Sequence, residues 1–599
     1  GAWLPEPWAT RLVLEGDGKV LVDERDLFDD GQFATTNLVV AKTFLDAHPD
    51  VVKQLLQGQV EANDWINANS DAAKGIVNKA LKDLTGKDLP AATIDAAWKN
   101  LSFTNDPLAA SAQKAADDAC EQARQAHQRL VDGLKFVASD LTGLQCFQFM
   151  NRVMRDQRLA SQIAEARKSD SALSIAQARQ DLETAEADGE SVASWRPFQL
   201  AFLLLNLRGI VEPQSADREV VDLLFFPTGG GKTEAYLGLS AFTLVLRRLR
   251  DPSLASAGVA VLMRYTLRLL TLDQLGRAAG LICALELERQ KAPAKLGKWP
   301  FEIGLWVGRK ATPNRLGKKG DIDPSSARSK TLAYKNDSRN RPVPIPLEKC
   351  PWCGHKFGTG SFNLVPNDDQ PTDLKITCAN PSCAFTRDRP LTIVAIDEPL
   401  YRRLPCFLIA TVDKLASLPW LAAPGKLFGK VTSYDAAGFY GPGDRGSGTR
   451  LPKPLLPPEL IIQDELHLIS GPLGTMVGLY ETAVEALCTR EVGDKLVLPK
   501  IVASTATVRR AEAQVRALFG RSQVDVFPPP GPDRRDTFFA RTASPIEKEP
   551  RLYVGVAAQG RSLKVVLLRT YRALLSAAQK LYLEEAAGPA LQRIYIHGA

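Results

Sequence analysis

Five short apolar runs recur along the chain: Val220 to Phe225, Val259 to Met263, Cys406 to Ala410, Leu460 to Gln463 and Ile501 to Ala503. Each has the length and composition of a buried strand that delivers a loop. From Asp222 to Val508 strands and helices alternate, which predicts an α/β fold with a parallel sheet and ligands at the carboxyl ends of its strands. Upstream, Leu130, Val131, Leu134 and Val137 fall at helical spacing, and Ala164 to Gly189 is rich in Ala, Glu, Gln and Arg. Residues 120–190 therefore read as helices. No uncharged apolar run reaches the roughly 18 residues of a membrane span, so none is expected.

The loops after two of these runs carry chemistry. Phe226-Pro227-Thr228-Gly229-Gly230-Gly231-Lys232-Thr233 follows the first. Consecutive glycines allow backbone conformations that a Cβ forbids, so N–H groups from Thr228, Gly229, Gly230 and Gly231 onward converge on phosphates at a helix N-terminus. Lys232 supplies a point charge to those phosphates, and Thr233 a hydroxyl to Mg²⁺. Phe226 stands where the full P-loop pattern has its first glycine. After the fourth run, Asp464-Glu465-Leu466-His467 sets two adjacent carboxylates at a strand end. Asp464 is placed to hold Mg²⁺ and Glu465 to orient and deprotonate the attacking water. The two segments predict ATP hydrolysis.

Both segments resemble superfamily 2 helicases of the DExH kind, whose loop is written Pro-Thr-Gly-x-Gly-Lys-Thr. That resemblance implies a RecA-like domain in which His467 links the ATP site to the next motif. Ser504-Thr505-Ala506-Thr507 resembles that motif, which couples hydrolysis to movement. The segment from Arg264 to Gln274 resembles the Pro-Thr-Arg-x-Leu-x-x-Gln motif, with Pro replaced and Arg displaced by one residue, which implies backbone contact with nucleic acid through Thr266, Arg268 and Gln274. Thr411-Val412-Asp413-Lys414 resembles the second strand-contacting motif, through Thr411 and Lys414. Arg196-Pro197-Phe198-Gln199 resembles a Q-motif whose glutamine, Gln199, reads the adenine edge.

Among nine cysteines, Cys350, Cys353, Cys378 and Cys383 form a C-x₂-C pair, 24 residues and a C-x₄-C pair. Tight pairs at turns present four thiolates to a tetrahedral Zn²⁺, as in zinc ribbons, with disulfides or free thiols as the other readings. Four protein ligands close the site, so the metal is structural, and His355 is left outside it. Cys120, Cys146, Cys283, Cys406 and Cys488 show no pairing pattern, which suits reduced thiols in the cytoplasm. The ribbon, about residues 345–390, interrupts the RecA-like domain between its two strand-contacting motifs.

At 599 residues the chain exceeds one core. Its net charge of +7 is unevenly spread: residues 1–120 hold 11 Lys and Arg against 19 Asp and Glu, the rest 64 against 49. An acidic module joined to a basic one suggests different partners. Residues 300–349 hold 11 basic against 5 acidic side chains, among them Arg309, Lys310, Arg315, Lys318 and Lys319, in either a solvated loop or a phosphate-contacting one. The chain opens on Gly1 with no leader pattern after it, which reads as a boundary within a longer protein.

In the acidic module, Gly1 to Val13, Thr35 to Val40, Phe44 to Asp50, Asp64 to Asn69 and Phe103 to Leu108 resemble the later half of a sulfonate/nitrate-type binding protein of ABC transporters. Such a half implies an α/β lobe that cannot close on a ligand by itself; Trp3, Glu6 and Trp8 are either remnants of a ligand wall or packing residues. The expected domains are thus 1–119, a helical lead-in at 120–195, a RecA-like domain at 196–540, and the start of a second RecA-like domain at 541–599.

From about residue 121 onward, the Phe226–Glu234 loop, the Gln463–Ile469 box, the inserted ribbon and Asp533 to Ala540 resemble the helicase-like subunit of DISARM-type bacterial anti-phage systems. The resemblance implies ATP, Mg²⁺ and zinc as cofactors. It also implies nucleic acid, DNA in the first instance, and a second defence subunit as partners, with no membrane and no small-molecule substrate besides ATP. No Gln-x-x-Gly-Arg-x-x-Arg motif appears before Ala599, so weak hydrolysis is expected of these residues alone. The rival readings are a solute-binding module defined by the first 120 residues and a nucleic-acid-binding scaffold with a silent ATP site.

Overall fold

The computed structural model describes residues 4–27, 31, 36, 38–107, 109–170, 172–189, 193–227, 229–265, 268–309, 311–416, 418–444, 448–469, 471–505, 511–531, 536–544, 546–548, 554–556 and 562–586. Its strands are β1 (Val221–Phe225), β2 (Val261–Tyr265), β3 (Ile303–Trp306), β4 (Phe362–Val365), β5 (Asp373–Ile376), β6 (Ile393–Val394), β7 (Phe407–Thr411), β8 (Ser433–Asp435), β9 (Gly438–Tyr440), β10 (Thr449–Arg450), β11 (Leu460–Gln463), β12 (Arg490–Val492), β13 (Lys495–Val497), β14 (Lys500–Thr505) and β15 (Val524–Phe527). Eight of them form one sheet in the order β15-β1-β14-β11-β2-β7-β3-β6, every pairing parallel.

Strands buried on both faces are apolar in a continuous run, because side chains of either parity meet a helix layer. Leu224, Val261, Met263, Ile409, Ile462 and Val502 face one core, together with the helices Leu141–Ser169, Pro197–Val211, Lys232–Arg250 and Arg268–Lys291. Leu223, Leu262, Leu408, Ile461 and Ile501 face the other, with the helices Gly471–Cys488 and Ala511–Phe519. The register sets Phe225 beside Thr505, Gln463 beside both Ala503 and Arg264, and Tyr265 beside Thr411. Five strand ends, and the loops after them, therefore share one edge of the sheet. This is the α/β arrangement with a parallel sheet that the alternation of elements predicts.

Asp222, the second residue of β1, is fully buried and paired on two sides. Arg129, from the helix Ala109–Ser139, donates to both its carboxylate oxygens at 2.7 and 2.9 Å, and Lys500 of β14 donates at 2.6 Å. Arg129 also reaches Asp525 of β15 at 2.6 Å. The lead-in helix is thus bonded to the strand that carries the P-loop.

Between β3 and β6 the chain leaves the sheet to form the antiparallel hairpin β4–β5 and the four-cysteine cluster. The basic stretch before it is balanced at close range: Arg309 pairs with Asp323 at 2.8 Å and Lys319 with Asp369 at 3.0 Å. These pairs favour the solvated-loop reading; Lys310 lies outside the described residues.

The acidic module folds as helices, Trp8–Glu15, Lys42–Ala47, Pro49–Ala68, Ser70–Thr85 and Ala91–Trp98, and no strand occurs among its described residues. Its internal ties include polar ones: Asn63 donates to the Thr104 carbonyl at 3.0 Å, and Asn78 exchanges hydrogen bonds with Leu89 at 2.8 and 2.9 Å. Residues 1–539 form one compact unit and 540–599 a second, whose described element is the helix Leu563–Ala586. Among the described residues no helix is long and apolar enough to cross a membrane.

Candidate functional site

The P-loop turns at two glycines in left-handed backbone, Gly229 at φ +79° and Gly231 at φ +94°. A Cβ on Gly231 would meet Gln199 Nε2 at 2.7 Å, and one on Gly230 would meet Phe226 Cδ1 at 2.6 Å. Backbone only fits there. Lys232 opens the helix Lys232–Arg250, is buried, and donates from Nζ to the Phe226 carbonyl at 3.0 Å, closing the loop on itself. Thr233 is half-buried in the first turn of the same helix; Thr228 lies outside the described residues.

Phe226, the departure from the usual pattern, stacks on Phe198 with ring centroids 3.8 Å apart and 12° between planes. That contact ties the loop to the N-terminus of the helix Pro197–Val211, where Gln199 sits. Gln199 Nε2 donates to the Gly231 carbonyl at 2.7 Å, while its Oε1 accepts the Arg196 amide at 2.8 Å. The Arg196 guanidinium donates to the Gly230 carbonyl at 2.5 Å. Sequence reasoning singled out Gln199 and not Arg196, although the arginine stands in the same tetrapeptide.

Across β14, Asp464 ends β11 almost fully buried. Ser504 donates its hydroxyl to the Asp464 carboxylate, and the Glu465 amide donates to it at 3.0 Å. Burial pushes the Asp464 pKa up, with the Glu465 charge adding to it, against the opposing Ser504 bond and Lys232 charge. Among the described residues no cation reaches ion-pair distance of this carboxylate, so a hard divalent cation suits it. Glu465 adopts left-handed backbone at φ +50°, rare for a residue with a Cβ. Its Oε2 lies 3.4 Å from His467 Nδ1, and the same nitrogen lies 3.3 Å from Thr505 Oγ1. His467 thus bridges the loop after β11 and the end of β14. Ala506 and Thr507 lie outside the described residues.

The predicted strand-contacting residues fall differently. Thr411 is buried at the end of β7. Lys414 is drawn inward, 2.7 Å from Asp397 and 3.3 Å from Asn314, so its ammonium is already matched. Gln274 is half-buried on the helix Arg268–Lys291, whose first residue is Arg268; Thr266 lies outside the described residues. A neighbour that sequence reasoning passed over is Arg264, fully buried at the end of β2. It pairs with Glu481 of the helix Gly471–Cys488 and lies 5.8 Å from the Phe519 ring centroid.

The sulfurs of Cys350, Cys353, Cys378 and Cys383 lie within 4.8 Å of one another, all four residues buried, with His355 outside the group. Two amides point at sulfur, Asn380 N–H at Cys378 and Phe385 N–H at Cys383, each at 3.4 Å. Such donors stabilise thiolate charge. Four thiols converging on one point, with their backbone turns supplying amides, fit a tetrahedral zinc ion.

Fold and site define a P-loop α/β protein whose glycine-rich loop, paired acidic residues and hydroxyl-bearing strand end meet at one sheet edge. The chain is 43% identical over 456 residues, 73% of its length, to the DISARM protein DrmA of Bacillus paralicheniformis (strain ATCC 9945a / NCIMB 11709 / CD-2). It spans 39% of that relative's length. Residues 1–81 match the NMT1-like family, the binding-protein-like part expected from the acidic module.

Proposed function

We propose that the chain carries the ATP site of a superfamily 2 helicase or translocase that acts on nucleic acid, DNA in the first instance, in DISARM-type anti-phage defence. The observation that carries this reading is the convergence of Lys232, Asp464, Glu465, His467, Ser504 and Thr505 on adjacent strand ends. Gly229 to Lys232 hold the phosphates, and Thr233 and Asp464 hold Mg²⁺, whose charge offsets that of the γ-phosphate. Glu465 takes a proton from the attacking water. His467 passes the state of that carboxylate to Thr505, and so to β14. Thr266, Arg268, Gln274, Thr411 and Lys414 form or support the nucleic-acid track; for the buried Thr411 and for Lys414, held by Asp397, the role is support of the loop. Zinc at the four cysteines is structural.

The site belongs to the RecA-like domain at 196–540, with 120–195 as its lead-in and 541–599 as the start of a second such domain. The partner is a second subunit of the defence system, and the working compartment is the cytoplasm. Residues 1–119 form a separate module of binding-protein ancestry, an assignment favoured by the NMT1-like match.

The test is nucleic-acid-stimulated phosphate release from a protein containing this site and its continuation, compared with Glu465→Gln. The variant is expected to bind ATP as well as the wild type and to lose roughly 100-fold or more in turnover, the scale of a positioned base. Equal turnover in the two proteins would count against the assignment.

A further inference from the structure

One helix, Leu141–Ser169, touches both the cysteine centre and the elements that close the P-loop. Near its C-terminal end, Arg167 donates from Nη1 to the Cys353 carbonyl at 2.8 Å and from Nε to the Leu173 carbonyl at 2.9 Å. One turn earlier Ala164 packs on Gly354, where φ is +70° and a Cβ would lie 2.8 Å from the Ala164 Cβ. Farther up the same helix, Asn151 accepts a hydrogen bond from Trp195 Nε1 at 2.6 Å. Trp195 in turn lies against Gly238 of the P-loop helix, where a Cβ would meet its Cη2 at 3.0 Å. The next residue is Arg196, which with Gln199 holds the carbonyls of Gly230 and Gly231.

The two contact points on the helix, Asn151 and Arg167, lie about 24 Å apart at ~1.5 Å per residue. Between them Val153, Met154 and Ile163 are buried, and the first two belong to the same core as Cys350, Cys353, Phe198 and Tyr236. A helix held in one core at several points moves as a unit, so a change at one end displaces the other.

We propose, resting on the nucleotide-site reading above, that the four-cysteine centre regulates the nucleotide affinity of the P-loop through the Leu141–Ser169 helix. With its knuckles closed, Cys353 and Gly354 fix Arg167 and Ala164, and Asn151 holds Trp195 so that Arg196 and Gln199 stay on the loop. Opening the centre releases that end of the helix and leaves Gly230 and Gly231 without their side-chain clamps. Metal supply would then set ATP binding without touching the phosphate cradle.

The experiment measures binding of a fluorescent ATP analogue with Mg²⁺ to the full chain, together with zinc content and amide hydrogen exchange over residues 229–236. Arg167→Met keeps all four thiolates, and Asn151→Leu lies far from them. Both are expected to retain the zinc content of the wild type, to exchange faster at the P-loop, and to bind the analogue roughly three- to tenfold more weakly. Arg167→Lys, which keeps one donor, is expected to fall between Arg167→Met and the wild type. Unchanged affinity and exchange in Arg167→Met and Asn151→Leu, with zinc retained, would overturn the coupling alone. A zinc-loaded wild type that binds no nucleotide would overturn the nucleotide-site reading, and the coupling with it.

Discussion

Asp222 is fully buried near the start of β1, and its two cations come from distant parts of the chain. Burial raises its pKa, but the charges and hydrogen bonds of Arg129 and Lys500 outweigh that, and the carboxyl is held below its ordinary value. A depressed folded-state pKa contributes stability above the ordinary carboxylate pKa, about 4, and the contribution is lost as pH falls through the lower folded value. Asp222→Asn leaves Lys500 without its anion and is expected to lower unfolding stability by about 3–5 kcal/mol at neutral pH, the cost of breaking a buried pair. Denaturant titrations at several pH values should show the gap between variant and wild type narrowing below about pH 4. An acid residue inside an apolar run was visible in the sequence; its partners, 93 and 278 residues away, were not. The same limit applied to Arg264 and Glu481, 217 residues apart. Lys232, Asp464 and Glu465 were legible because their chemistry is written in contiguous residues.

Strand ends and knuckles were read more fully than side-chain destinations. The apolar runs located β1, β2, β7, β11 and β14, and the cysteine spacing located the cluster, because both patterns are local. Three strands escaped notice: β3, β6, which lies in the run Ile393 to Ile396 just after the ribbon, and the edge strand β15, whose apolar pattern Asp525 interrupts. Lys414 looked like a phosphate contact until the fold brought Asp397 to it, a pairing that no spacing rule encodes. At the knuckle, Gly354 combines left-handed backbone with close approach to Ala164. Gly354→Ala is therefore expected to destabilise the chain by roughly 1–3 kcal/mol, through strain and the forced shift of the helix. Thermal unfolding with zinc content measured in parallel checks this, and an unaltered melting temperature would contradict it.

Across the whole molecule, two modules of opposite charge share a chain. Segments of the acidic module far apart in sequence are tied to one another, by Asn63 to Thr104 and by Asn100 to Glu6, the latter at 2.7 Å. Every group assigned to the nucleotide comes from residue 196 onward. A chain without residues 1–107 is therefore expected to keep its nucleotide affinity within about twofold, below the ~1.4 kcal/mol that marks a tenfold change. A large loss in a binding titration would show that the acidic module contributes to the site. In the proposed function, Lys232 and its glycine cradle bind the phosphates of ATP. Calorimetric titration of the wild-type chain and of Lys232→Ala with a non-hydrolysable ATP analogue and Mg²⁺ tests it most directly. Saturable one-to-one binding by the wild type, weakened roughly tenfold or more when the charged donor is removed, is the predicted result. Equal binding by both proteins, or none by the wild type, would contradict it.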